Sequence, residues 1–111
     1  MAWYMLRAKL SQTSVQGLIA KPHDRKKAVA KLVESLGGKL HHYFFAFGEH
    51  DVVLIMELPG HDEAMAVVLA AAATGSISDA ETTVLVPSDD AMDAMKKAAK
   101  AGKVYVPPKG K

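Results

Sequence analysis

Apolar and polar residues alternate from Ala2 to Leu10, which places Ala2, Tyr4, Leu6 and Ala8 on one side and Trp3, Met5, Arg7 and Lys9 on the other. That is the period of a strand. The pattern then changes to helical spacing. Ser11 can cap a helix over Gln12–Ala20, Pro22 interrupts, and Asp24 can cap a second helix from Arg25 to Leu36. Within it Ala28, Leu32 and Leu36, with Val29 and Val33, recur on one face, and Gly37-Gly38 stops the run. Two runs rich in aromatic and aliphatic residues follow, on either side of Gly48-Glu49. Glycine in the first place of a two-residue turn suits the mirror-image turns that match strand twist, so the spacing predicts a tight hairpin over Leu40–Glu57. Beyond Pro59-Gly60 the chain reads as an alanine-rich helix over about Asp62–Thr74 and a strand over Ser78–Val86, stopped by Pro87. A last helix is expected over Ala91–Ala101, with Met92 and Met95 beside Ala91, Ala94 and Ala98 as its buried stripe. Val104-Tyr105-Val106 reads as a short edge strand or as a tail that packs on a partner.

Strand, helix pair, strand, strand, helix, strand is the βαββαβ order of a ferredoxin-like α+β fold, an antiparallel sheet with its helices on one face. The C-terminal helix is extra to that core. Such a sheet leaves its second face bare, and in so apolar a chain a second copy is the expected cover, giving a homodimer or larger assembly. The expected organisation is one domain over residues 1–101 and a basic tail over 102–111.

With 111 residues, half of them apolar, the chain can bury a real though small core. It contains no cysteine, which removes disulfides, thiol nucleophiles and thiolate metal sites and fits a cytoplasmic protein. The first residues lack the long apolar run of a secretory signal. The longest apolar run, Ala64–Ala73, is far short of the ~20 residues that span a bilayer. The net charge of +2 averages two unlike parts. Residues 1–95 hold eight Lys/Arg against twelve Asp/Glu, and residues 96–111 hold six lysines and no acid. Lysines in a last helical turn complement the helix dipole. The tail has no arginine and only Tyr105 for stacking, so a solvated helix end is expected rather than a nucleic-acid contact.

The five histidines (His23, His41, His42, His50, His61) do not converge in the predicted hairpin. His41 and His50 share a face but lie about 20 Å apart at ~3.3 Å per residue, and His42 points the other way. No metal and no cofactor is therefore expected within one subunit. If Phe47 faces His50 and Phe45 faces Val52, one face carries His41, Tyr43, Phe45, Phe47, His50, Val52, Leu54 and Met56. Its bulk suits the helix side. The other carries Leu40, His42, Phe44, Ala46, Asp51, Val53, Ile55 and Glu57, and matches the mixed face of the first strand. Antiparallel pairing of the first and third strands would bring Arg7 or Lys9 toward Asp51 and Trp3 toward Glu57. The candidate ligand-binding residues are thus Trp3, Arg7, His42, Phe44, Asp51 and Glu57, an apolar surface with a few polar groups. On the diagonal, Glu57 could orient His42 as a general base. The same residues also fit an ordinary interface ion pair and a hydrogen-bonded interface histidine. No phosphate loop, hydrolase elbow or calcium loop is present in the sequence.

The hairpin resembles that of the GYD domain family, named for a Gly, a Tyr and an Asp at this turn. The likeness runs through Tyr4-Met5-Leu6-Arg7-Ala8-Lys9, Gly37-Gly38-Lys39-Leu40, Phe45-Ala46-Phe47-Gly48, Asp51-Val52-Val53 and Glu57, over about residues 2–97. Gly48 and Asp51 stand in place, and His50 takes the tyrosine position. The resemblance implies a ferredoxin-like fold of the dimeric α/β-barrel type and carries no established activity. A fainter likeness, in the Gly-x-x-Asp hairpin, is to the effector-binding domains of feather-type bacterial regulators. The expected role is an oligomeric domain that holds a small apolar or aromatic molecule between sheet face and partner without turnover. One alternative is a cofactor-independent monooxygenase or isomerase in which His42 takes a proton, Glu57 orients it and Arg7 holds an oxyanion. The other is a purely structural self-assembling protein.

Overall fold

The computed structural model describes residues 1–109. Gly110 and Lys111, the end of the expected tail, lie outside the described residues. The chain runs β1 (Ala2–Leu10), α1 (Gln12–Ala20), α2 (Arg25–Ser35), β2 (Lys39–Phe45), β3 (Val52–Leu58), α3 (His61–Ala73), β4 (Ile77–Leu85), α4 (Ser88–Ala101). The four strands form one antiparallel sheet in the order β2-β3-β1-β4, the ferredoxin-like topology expected from the element order.

Local chemistry starts the helices where the sequence suggests. The Ser11 side chain accepts a hydrogen bond from the Ser14 amide and the Asp24 side chain accepts one from the Lys26 amide. Gly37 ends α2 at φ 83°, a left-handed conformation that costs little only without a Cβ. Alternation along β1 and β3 then sends Tyr4, Leu6, Ala8, Val52, Leu54, Met56 and Leu58 to the helix side. There they pack with Leu40, with Val33 of α2, and with Ala64 and Val67 of α3. Fully buried Met56 and Leu58 each contribute ~1.5–3 kcal/mol over an exposed position. Tyr4 spans the core and its hydroxyl meets Nδ1 of His61 at 2.8 Å, so its one polar atom is satisfied.

The hairpin differs from the tight turn expected. Strand pairing stops at Phe45 and Val52, and Ala46–Asp51 forms a loop closed by the Ala46 amide donating to the Asp51 carbonyl at 2.8 Å. Phe47 therefore does not pair with His50; it is fully exposed, while His50 is buried. Phe45 does face Val52, but the register slips by one between Leu40 and His42. His41 is the extra residue of a β-bulge, where two residues of one strand oppose one of its neighbour. His41 consequently leaves the helix side assigned to it and joins His42 on the open face.

The C-terminal part differs more. Residues 104–106 form no strand, and every described residue from Met92 onward is exposed. Met92 and Met95 do not bury a stripe against their own domain; they are 54% and 65% exposed. Periodicity gives a helix its apolar face, but not the surface that covers it. No helix among the described residues is long and apolar enough to cross a membrane.

Candidate functional site

Strand register builds the open sheet face in cross-strand rows. Lys39, Glu57, Trp3 and Leu85 lie side by side at one end; His42, Ile55, Met5 and Thr83 form the middle row; Phe44, Val53, Arg7 and Glu81 form the next. Trp3 thus neighbours Glu57 as expected. The bulge inserts His41 between the first two rows. Its Nε2 lies 2.7 Å from Oε1 of Glu57, and its ring stacks on Trp3 with centroids 4.4 Å apart. A carboxylate only accepts, so Nε2 donates to Glu57 and Nδ1 is left to accept from a ligand. This cluster borders a shallow cleft of about 700 Å³ that Met1, Leu85, Val86, Pro87, Asp89 and Asp90 complete.

The expected partner of Glu57 was His42. With the bulge, His42 stands opposite Ile55 and stacks on Phe44 instead, at 5.6 Å between centroids, and both rings are exposed. The histidine and carboxylate pairing survives with the neighbouring imidazole. No sequence signal marks which of two adjacent histidines is the inserted one.

Asp51 does not pair with Arg7 or Lys9. Its Oδ2 accepts the Leu10 amide at 2.9 Å, and its own amide donates to the Ala8 carbonyl at 3.0 Å, which ties the hairpin loop to the end of β1. The cations turn to β4: Arg7 meets Glu81 at 3.3 Å and Lys9 meets Asp79 at 3.3 Å. Asp79 holds φ 48° beside the β1–β4 irregularity, a left-handed conformation that Asp tolerates better than most residues. His50, at the tyrosine position of the hairpin pattern, places Nε2 3.1 Å from the same Glu81 oxygen that Arg7 reaches. Glu81 and His41 are the two members that sequence reasoning missed. Glu81 was invisible because the β1–β4 register follows from no local pattern.

Trp3, Arg7, His42, Phe44 and Glu57 therefore share the open face, and Asp51 lies at its edge as a loop anchor. Arg7 Nε is enclosed with no acceptor among the described residues, an unused donor on this face. Among the described residues no three metal-ligating side chains converge.

Comparison with known proteins agrees with this geometry at the level of fold and family. The family model of the GYD domain matches residues 4–95. Among curated proteins, none matches the sequence. Of the solved structures, MtbAldR superposes with a TM-score of 0.53 at 14% identity, over 78% of this chain and 52% of its own. The chain thus spans about half the length of that protein. TTHA0845 from Thermus thermophilus superposes with a TM-score of 0.52 at 16% identity, over 79% of this chain and 96% of its own. At such identities the likeness is one of fold.

Proposed function

The chain belongs to the GYD domain family, and from that premise we propose that it acts as a homo-oligomeric binding module. In this reading it holds a small apolar or aromatic molecule between its open sheet face and a partner copy, without turnover. The observation that carries the reading is the Trp3–His41–Glu57 cluster. An aromatic platform, an oriented imidazole and a carboxylate stand beside the apolar Met5, Val53 and Ile55, on a face that no helix among the described residues covers. A few fixed polar groups within an apolar surface are what a small-molecule site requires once a second surface closes over it.

A second copy is the cover that charge favours. Residues 1–95 carry a net negative balance and residues 96–111 a net positive one, so the arm of one copy and the body of another attract. The exposed methionines of α4 would add apolar area to the same contact.

The 2.7 Å His41–Glu57 pair also supports a second reading, a small cofactor-independent monooxygenase or isomerase. His41, in place of His42, would take the proton, Glu57 would hold the imidazole, and Arg7 would stabilise an oxyanion. Native mass spectrometry of the protein as purified, repeated after denaturation, tests the first reading. It expects an oligomer with an excess mass that denaturation releases. A monomer would overturn it, and an oligomer free of excess mass would leave the purely structural reading.

A further inference from the structure

A second hollow lies on the opposite side of the sheet, under the helices. It measures about 560 Å³ and has a floor of buried Leu6, Ala8, Val52, Leu54 and Val67. Helix α1 leaves it unfilled. No residue of α1 is buried, Gly17 presents no side chain to the hollow, and Val15 and Ile19 are exposed. The hollow is half open to solvent, and a concave, mainly apolar space of this size with a few polar groups at its rim is the form that small-molecule sites take.

One rim of the hollow is basic. Lys21, His23 and Arg25, all from the α1–α2 connection and the first turn of α2, line it, with the Tyr43 hydroxyl beside Arg25. Among the described residues no acid lines the hollow, and the ion pairs of the chain engage Arg7, Lys9, His41 and His50 rather than Lys21 or Arg25. Arg25 is also held in place. His23 Nδ1 lies 2.9 Å from the Lys21 carbonyl, which can only accept, and His23 Nε2 lies 3.2 Å from Arg25 Nη1, which can only donate. These two contacts steer the guanidinium toward the hollow's rim, while most of its N–H groups stay free. Burial pushes the Tyr43 phenol above its ordinary pKa against the pull of Arg25, so it remains a neutral donor at the same rim.

We propose that this helix-side cavity is a binding site for an apolar monocarboxylate, the alkyl or aryl body lying on Leu6, Ala8, Leu54 and Val67 and the carboxylate meeting Arg25 and Lys21. The apolar floor selects the body. A planar guanidinium fork fits a carboxylate with two parallel hydrogen bonds, and the unpaired basic rim selects a negative charge over a neutral or positive one. The site is independent of the open sheet face, because the two lie on opposite sides of the same strands.

Titrating the full-length, methyl-labelled protein with decanoate, decanol and decyltrimethylammonium, followed by NMR, tests this proposal. Decanoate should shift the methyls of Val29, Leu32, Leu54 and Val67 saturably and leave Met5, Val53 and Ile55 in place. Decanol should bind more weakly, and decyltrimethylammonium should not bind. Arg25→Gln should weaken decanoate on the order of tenfold or more and leave decanol unchanged. Lys21→Gln, at an exposed position, should act in the same direction and keeps the test available if the first variant folds poorly. Shifts confined to Met5, Val53 and Ile55 would place the ligand on the sheet face and overturn the helix-side site. Equal affinity for the three probes, indifference to both substitutions, or no binding would overturn it as well.

Discussion

His41 is held by two unlike contacts, a hydrogen bond to Glu57 and a stack on Trp3. Because Trp3 is the single tryptophan of the chain, its fluorescence reports that stack without labelling. His41→Ala should change both the intensity and the wavelength of emission, whereas His42→Ala, which loses only the stack on Phe44, should leave the spectrum unchanged. An equal response to the two substitutions would mean that the bulge does not select His41. Asp51 makes a different kind of contact. Its carboxylate accepts the Leu10 amide where β1 ends, so Asp51→Ala should lower stability by about 1–3 kcal/mol in urea unfolding. The same variant should dissociate on dilution just as the parent does, since Asp51 is a loop anchor rather than an interface ion pair. The residue types at the open face were legible from alternation alone: Trp3, Arg7 and Glu57 lie where period two puts them. Their partners were not. Arg7 turned to Glu81 because β4, a strand distant in sequence, supplies the nearer acid.

At the scale of elements, β2 shows how one inserted residue redirects a surface. Before the bulge, Leu40 enters the core; after it, Tyr43 and Phe45 return to the helix side, and two consecutive histidines are left on the open face. A strict alternation places His41 and His42 on opposite sides, and no residue type announces the irregularity. The hairpin loop departs from the expected turn for a related reason. Gly48 does take a positive φ, 114°, as a turn glycine should. But His50 and Asp51 are drawn out of the ladder by Glu81 and by the Leu10 amide, partners that a local reading does not see. The start of β2 is constrained more tightly. A Cβ on Gly38 would sit 2.3 Å from the Glu57 carbonyl oxygen and 2.5 Å from Leu58 Cδ2. The first is backbone of a central strand and cannot move aside. Gly38→Ala should therefore destabilise the protein by ~1–3 kcal/mol in thermal or urea unfolding, the usual cost of overpacking. Gly17→Ala, which meets nothing within 4 Å, should not destabilise it. A Gly38→Ala protein as stable as its parent would mean that β2 and β3 are spaced further apart at this point.

The whole molecule is elongated, 60 × 37 × 21 Å along its principal axes, and every described residue from Met92 to Lys109 is exposed. An isolated helix of this length is marginal in water, and most helices in proteins are stabilised by packing an apolar face. The sequence of α4 supplies such a face, with Met92, Met95 and Ala99 on one side and Asp93, Lys97 and Lys100 on the other. What it lacks is a packing surface among the described residues. Two deficits therefore coincide in one molecule: a sheet face without a cover and an amphipathic helix without a bed. The proposed second copy would supply both at once, and the opposite charges of body and arm favour that pairing over contact between two like surfaces. If α4 docks on a partner, replacing Met92 and Met95 together by lysine removes two buried side chains worth ~1.5–3 kcal/mol each from the contact. Sedimentation velocity on a dilution series should then show dissociation at protein concentrations about a hundredfold or more above those the parent requires. The folded body should keep its unfolding temperature when both proteins are compared as monomers, because neither methionine packs on it. Unchanged dissociation would leave the sheet face as the sole contact and make α4 a solvated arm. A lower monomer unfolding temperature would mean instead that α4 packs against its own domain.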